Sequence, residues 1–463
     1  MRFISMNTIF KRIPAKLTAA LIVVTLFLSC NHEKEITFCE NIAPIIFKNC
    51  TSCHRPGSDA PFDLISYQDI KRRAKLIKEV TANRFMPPFP ADPSYSHFTD
   101  EKVLTEVDIK MIATWVENHC PFGDSAKLPK PPTFPIGSQL GTPDLVLKMI
   151  EPHRIKGDNK DQFFLMKIPY NIPNDTFIRA IEFVPGTAKT VHHVNGQLIS
   201  YEDAKKRSVF TGKYTINTDS FTHKQGFELM DIPNDDGTYP LLTPSVTNYL
   251  PGTIATVYPE GIGGYSMAKK GAILLSEIHY GPSPINREDI SSCNIFFAAK
   301  KPLRPTLEMQ LGTLGISKII PPLVIPPNVI KTFHTSTFIT RDISVLTVNP
   351  HMHLLGKKFI AFALTPSRDT IPLIRINNWD FRWQYFYTFR KMIKIPAGSL
   401  IYAEGTYDNT TNNPLNPFHP PQTVAEKEGS MRVTDEMFQF IITYLPYQIG
   451  DETISLESPN IFH

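Results

Sequence analysis

Six side chains stand where they could hold redox metals: His192 and His193 in Thr190-Val191-His192-His193-Val194, His279 in Ser276-Glu277-Ile278-His279-Tyr280, His351 and His353 in Asn349-Pro350-His351-Met352-His353, and Met437 in Thr434-Asp435-Glu436-Met437. Residues two apart on a strand point to one face, so His351 and His353 can grip one ion together. The adjacent pair His192-His193 cannot do so on a regular strand. It needs a strand end or a bulge, which Pro185-Gly186 just upstream makes tolerable. His279, on another strand, could complete a three-imidazole site. Imidazole suits copper, and a thioether adds a soft ligand that favours Cu(I). Two copper sites follow: His192, His193 and His279 in one, and His351, His353 and Met437 in the other. Met352, between the two histidines, points to the opposite face and is expected in the core or at its rim. His153, His223, His334 and His419 lack such company and are read as structural.

A different chemistry sits near the N-terminus. Cys50-Thr51-Ser52-Cys53-His54 is a C-x-x-C-H sequence. Two thiols at that spacing can each form a thioether to one porphyrin, with the adjacent His as proximal ligand, so covalent haem c is expected. A zinc site would need a second ligand pair nearby, and a redox C-x-x-C would need a βαβ context. Helices are expected at Ile42–Asn49, Tyr67–Asn83 and Lys102–His119, the last with Leu104, Val107, Met111, Ile112, Trp115 and Val116 along one face. The loop Arg84-Phe85-Met86-Pro87-Pro88-Phe89-Pro90 lies between two of them. Its prolines keep it off helical geometry, and Met86 offers a thioether as second axial ligand to the iron.

The elements that must position these groups are mostly strands. The chain of 463 residues holds 41 prolines against 23 glycines, which argues against helical bundles and doubly wound parallel sheets. Short β-forming runs recur from residue 143 onward, among them Thr176–Phe183, Ala272–Ile278, Asn294–Ala299, Ile343–Val348, Phe359–Leu364, Leu400–Thr406 and Phe438–Tyr444. The fold class is therefore mainly β: two β-sandwich lobes behind a small all-α haem domain. Proline clusters serve as joints. The boundaries read as a leader at 1–30, the haem domain at 36–125, a Pro-rich linker at 126–142, a first lobe at 143–320 and a second at 321–457, divided near Pro321-Pro322. The aromatic stretch Trp379–Tyr385 reads as ordinary sandwich core and surface.

The leader has a basic start (Lys11, Arg12, Lys16), an apolar run from Leu17 to Leu28, and then Ser29-Cys30. This resembles a bacterial lipoprotein signal, which implies export, lipidation of Cys30 and anchoring to a cell-envelope membrane. The run is shorter than a spanning helix. In that oxidising setting Cys39 and Cys120, which flank the haem domain, could pair as a disulfide, while Cys293 reads as a core thiol. A net charge of +4 is too balanced for a nucleic-acid partner.

Two family resemblances follow from these motifs. Residues 36–125 resemble a small class I cytochrome c. Residues 140–455 resemble the copper type II, ascorbate-dependent monooxygenases, the group of peptidylglycine α-hydroxylating monooxygenase and dopamine β-monooxygenase. Their ordered signature is H-H, then H-Y, then H-x-H-x-x-G, then a Met after Asp-Glu, and all four elements occur here in that order. The resemblance implies two jelly-roll lobes facing across a solvent cleft. It makes His192, His193 and His279 the electron-transfer copper site, and His351, His353 and Met437 the site that binds O2 and hydroxylates a C–H bond. It also implies ascorbate as a reductant, which the haem could replace or assist by taking electrons from a soluble donor. The peptide-amidating member binds its substrate's carboxylate through an Arg two residues before the H-x-H and a Tyr four residues after the Met. Here those positions are Asn349 and Ile441, so the expected substrate is a small organic molecule of unknown identity. The rival reading is a non-catalytic haem and copper electron-transfer lipoprotein.

Overall fold

The computed structural model describes residues 35–58, 60–135, 137–427 and 432–457. The leader and Cys30 lie outside the described residues.

The N-terminal unit is helical. A π-helical turn at Phe38–Ile42 runs into α1 (Ala43–Asn49), followed by α2 (Tyr67–Arg72), α3 (Ala74–Ala82) and α4 (Glu106–Glu117). The stretch expected as one helix from Tyr67 to Asn83 breaks at Arg73, whose ψ of 8° leaves helical geometry. The last helix begins at Glu106 rather than Lys102, because Thr105 and Asp108 cap each other's backbone N–H groups. Phe38, Ile46, Ile70, Ile77, Ile112 and Trp115 form the core, and Trp115 donates through Nε1 to the Pro121 carbonyl at 3.0 Å. Val107, at the edge of the expected apolar arc, is 64% exposed.

Cys39 and Cys120 both lie in this core as free thiols, so the disulfide considered for them is not formed. The backbone N–H of Cys39 donates to Phe122 O at 3.0 Å. Cys120 occupies a left-handed turn (φ 59°) that closes α4. Burial pushes both thiols upward, and they pack as small apolar side chains. Cys293 is likewise a buried core thiol, pushed up to about 12 by burial.

The first β-lobe contains β1 (Leu145–Lys148), β2 (His153–Ile155), β3 (Gln162–Asn171), β4 (Thr176–Val184), β5 (Val191–Ser200), β6 (Thr215–Asn217), β7 (Leu241–Tyr249), β8 (Tyr265–Met267), β9 (Lys270–Tyr280), β10 (Arg287–Asp289) and β11 (Ser292–Phe297), with a short helix, α5 (His223–Leu229), between β6 and β7. Its two main sheets are ordered β1-β11-β4-β8 and β6-β3-β9-β5-β7. The second lobe contains β12 (Leu307–Gly312), β13 (Val324–Ile325), β14 (Ile330–Phe338), β15 (Ile343–Met352), β16 (Gly356–Leu364), β17 (Thr370–Ile376), β18 (Tyr387–Ile395), β19 (Leu400–Asp408), β20 (Val424–Ala425) and β21 (Phe438–Pro446). Its main sheets are β12-β21-β15-β18 and β14-β19-β16-β17. Both lobes are antiparallel sandwiches whose central strands, such as β9 and β15, are buried along almost their whole length. Truncating a fully buried ring here, such as Phe438, would cost about 3–5 kcal/mol.

Two expected boundaries move. β12 pairs with β21, so the second lobe is under way by Leu307. Pro321-Pro322 sits inside that lobe, where the backbones of Ile320 and His334 exchange hydrogen bonds of 2.8 and 2.9 Å. A proline pair that reads as a hinge is an edge irregularity instead. The helical unit is also not joined to the rest by its linker alone. Between α3 and α4 the chain crosses to the second lobe, where Ala91 bridges Ile376 and Phe98 bridges Phe389. Both Ala91 and Phe98 enter that lobe's core. Asp92 accepts from Arg375 Nε and Asn377 Nδ2, each at 2.9 Å, and the Arg390 guanidinium reaches Glu101 at 2.8 Å. No described helix is long and apolar enough to cross a membrane.

Candidate metal centres

The first centre forms where β5 and β9 meet. His193 is paired with His279, and Val191 with Tyr280, so the register slips by one residue between them. His192 is the extra residue of that bulge, which lets two consecutive imidazoles converge instead of pointing apart. The three histidines place one ring nitrogen each within 4.8 Å of one another. The Nδ1 atoms of His193 and His279 are 3.2 Å apart, close enough to share a proton or flank a cation. His192 Nδ1 is buried with no hydrogen-bond partner. A buried imidazole nitrogen left unmatched is costly unless something binds it.

The far side of each paired imidazole faces a carboxylate. His279 Nε2 is 2.7 Å from Asp161 Oδ1, and His193 Nε2 is 3.5 Å from Glu277 Oε1. Such carboxylates orient a ring and raise its basicity toward a metal on the other nitrogen. Burial, then the neighbouring imidazoles and Arg382, hold His192 down at about 2. Burial also lowers His279, against the pull of Asp161. Burial would raise Glu277, but the histidines facing it, His193 first, hold it down at about 2. The depression of His192 and His279 favours their neutral form, the one that ligates. Phe163 stacks on His279 with centroids 4.3 Å apart.

The second centre forms where β15 ends beside β21. His351 and His353 bring their rings to 5.0 Å, nearly perpendicular. Met352 between them is fully buried in the core, as alternation requires. His351 Nδ1 is hydrogen-bonded to the Gln384 side-chain oxygen, and His353 Nδ1 to the Asp435 carbonyl at 2.7 Å. With both Nδ1 atoms engaged, Nε2 is the nitrogen each ring can offer to an ion. Burial lowers both rings, His351 to about 4. Glu436 spans the turn, accepting from the backbone N–H of His353 at 3.0 Å and of Leu355 at 2.7 Å. The ladder pair Met352↔Phe438 brings the buried Met437, one residue earlier on β21's side, to the strand end where His353 emerges. Tyr407 Oη donates to the Met437 carbonyl at 2.7 Å and fixes that backbone. A side chain at Gly356 would come within 2.8 Å of Trp379, so the turn after the histidines needs a glycine.

The segment Trp379–Tyr385 is more than sandwich core and surface. Phe381 lies between the two centres, its ring centroid 6.1 Å from His193, 6.4 Å from His279 and 5.6 Å from His353. Where a solvent cleft is implied by resemblance, this structure places that buried ring. Gln384 holds His351, and Trp383 lies 5.6 Å from His192. Asp161, Glu277, Phe381 and Gln384 carry no spacing signal in the sequence. Only the tertiary fold brings them to the histidines. Asn349 and Ile441 come directly opposite each other on β15 and β21, and Asn349 is buried with its amide donating to Tyr385 O at 2.9 Å. No cation waits there for a carboxylate.

In the helical unit, Cys50, Cys53 and His54 share one turn after α1. Both thiols are free, and burial pushes Cys50 up to about 12. His54 Nδ1 is 2.9 Å from the Phe62 carbonyl, which leaves Nε2 as its available ligand atom, and burial lowers its pKa. Met86 sits half-buried in the separate loop after α3, its N–H donating to Val80 O at 3.1 Å.

Residues 309–453 match the family model described as copper type II ascorbate-dependent monooxygenase, C-terminal domain. No curated protein matches the chain. Among solved structures, the infectious bursal disease virus Gx strain is similar at 9% identity, over 70% of this chain and 78% of that one, with a TM-score of 0.17. The infectious bursal disease virus VP2 subviral particle is similar at 8% identity, over 69% and 76%, with a TM-score of 0.18. Neither likeness carries a conclusion about this fold. The family match spans β15, β21 and the second centre with His351, His353 and Met437, and on that ground the protein is an oxygen-using copper monooxygenase, an oxidoreductase.

Proposed function

We propose that the protein is exported and lipid-anchored through Cys30, and that it hydroxylates a C–H bond of a small organic substrate with electrons entering through a covalent haem. The observation that carries the copper part is the complementary use of ring nitrogens. The first centre turns Nδ1 atoms inward with carboxylates behind two of them, and the second engages both Nδ1 atoms and leaves Nε2 free. Both donor sets fit copper, and the second adds a thioether. Bound copper supplies one-electron transfer and oxygen activation. One atom of O2 enters the C–H bond and the other leaves as water, with two electrons and two protons consumed.

The chain's own residues do the rest. Asp161 and Glu277 hold the first pair of rings. Gln384 and the Asp435 carbonyl hold the second pair. Glu436 and Tyr407 fix the backbone that presents His353 and Met437. Phe381 fills the space between the centres and excludes water from it. With Asn349 and Ile441 where a carboxylate would otherwise be read, the substrate is recognised without an acidic terminus.

The haem part is supported by the free Cys50 and Cys53 thiols, by the His54 ring anchored through Nδ1, and by the Met86 thioether as the second axial donor. A soluble donor would reduce the haem, with ascorbate as the alternative reductant. The deciding experiment is metal and haem content of the matured chain, expected at one iron and two coppers, followed by oxygen uptake with Met437→Ala. The variant should keep most copper and lose substrate-dependent oxygen uptake. A wild-type chain that binds copper but never consumes oxygen with any C–H substrate would instead be an electron carrier.

A further inference from the structure

We propose that Tyr385 and Trp383 form the electron path between the loop that carries Met86 and the three-histidine centre; this rests on the haem reading above. Tyr385 is buried at the junction of the helical unit and the second lobe. Its hydroxyl donates to the Pro88 carbonyl at 2.7 Å, in the loop that carries Met86, and Phe89 of that loop lies 5.5 Å from its ring. Burial first, and then the Cys53 sulfur, push its hydroxyl pKa upward. Tyr385 stacks on Trp383 with centroids 6.3 Å apart and planes 16° from parallel. Trp383 in turn lies 5.6 Å from His192. Two neighbouring aromatic rings thus link the Pro88 carbonyl to the His192 imidazole.

Phe381, Trp383 and Tyr385 lie on one aromatic loop segment between β17 and β18. Phe381 faces both metal centres, while Trp383 and Tyr385 lead away toward the helical unit. The step is a single electron transfer. Ferrous haem is oxidised to ferric as one cupric ion at the first centre becomes cuprous, and the rings themselves are neither oxidised nor reduced overall.

The test uses the matured, copper-loaded full chain without oxygen. One electron is delivered to the haem by a flash-generated reductant. Relaxation of the haem absorbance is followed beside loss of the Cu(II) electron paramagnetic resonance signal. In the wild type both should change together. Trp383→Leu should slow the relaxation by about tenfold or more at unchanged haem and copper content, and Trp383→Phe should recover part of the rate. Tyr385→Leu should slow it similarly, whereas Tyr385→Phe should not. Unchanged rates in both Leu variants overturn the path while leaving the haem reading intact. A wild-type chain without covalent haem by its pyridine haemochrome spectrum overturns both.

Discussion

His193 and His279 are 86 positions apart in sequence, yet their Nδ1 atoms meet at 3.2 Å across neighbouring strands. At that separation one ring donates a proton to the other. A cation between them would replace that proton and draw in His192 Nδ1, which has no other partner. Replacing His279 with Ala should therefore remove one copper per chain and leave the other at the His351, His353 and Met437 centre. Elemental analysis after exhaustive copper loading reads this directly. Loss of both ions, or of neither, would contradict two independent centres.

Asp161 should matter through His279 alone. Its oxygen is 2.7 Å from His279 Nε2, on the side away from the shared Nδ1 face. Asp161→Asn keeps the shape and removes the charge. Second-layer changes of this kind typically weaken metal binding by about 10–100-fold. A competition titration should show that loss at one of two sites, with circular dichroism unchanged because Asp161 is half-exposed.

Glu436 is the corresponding support for the second centre. It accepts two backbone N–H groups in the turn that follows His351. Burial pushes it up to about 8 against those N–H groups. Glu436→Leu would leave both donors buried and unmatched, at about 1–3 kcal/mol each. The expected result is a lower melting temperature and loss of copper from the second centre, with the first centre still filled.

The convergence of His192 and His193 with His279, and of His351 with His353, is legible because histidine is rare and the spacing matches strand geometry. The need for a strand end or a bulge at His192 is also legible, since adjacent side chains on a regular strand point apart, and the bulge is the one formed. Strand runs such as Ile343–Val348 and Phe438–Tyr444 were found, though both continue beyond the expected ends. What failed was pairing at long range. Nothing local marks β12 as the partner of β21, so the lobe boundary was drawn at the prolines instead. Nothing local marks Asp161, Glu277 or Gln384 as supports, because acidic and amide side chains are common on any surface. The Cys39–Cys120 pairing rests on compartment and on the two residues flanking one small domain, and the two thiols are free instead. Phe381 and Trp383 read as core because an aromatic run signals burial, not what it is buried against.

His153 offers a pH test that is free of metal. Its ring stacks on Tyr280 at 5.2 Å and meets Phe164 edge-on at 4.2 Å, with Nε2 buried and unpartnered. Burial lowers its pKa to about 4, with Asp289 pulling the other way. An unfolded histidine takes up its proton near pH ~6.5. Between those two values the unfolded chain binds more protons than the folded one. Folding stability must therefore fall as pH drops through that window, at no more than about 1.4 kcal/mol per pH unit from this residue. His153→Phe keeps an aromatic ring in the stack and removes the titration. Urea unfolding of the metal-free chain at about pH 7, 6 and 5 should give a shallower loss of stability in the variant than in the wild type. The other depressed histidines contribute equally to both proteins, so the difference between the two slopes isolates His153, and equal slopes would mean that its proton is not excluded by folding.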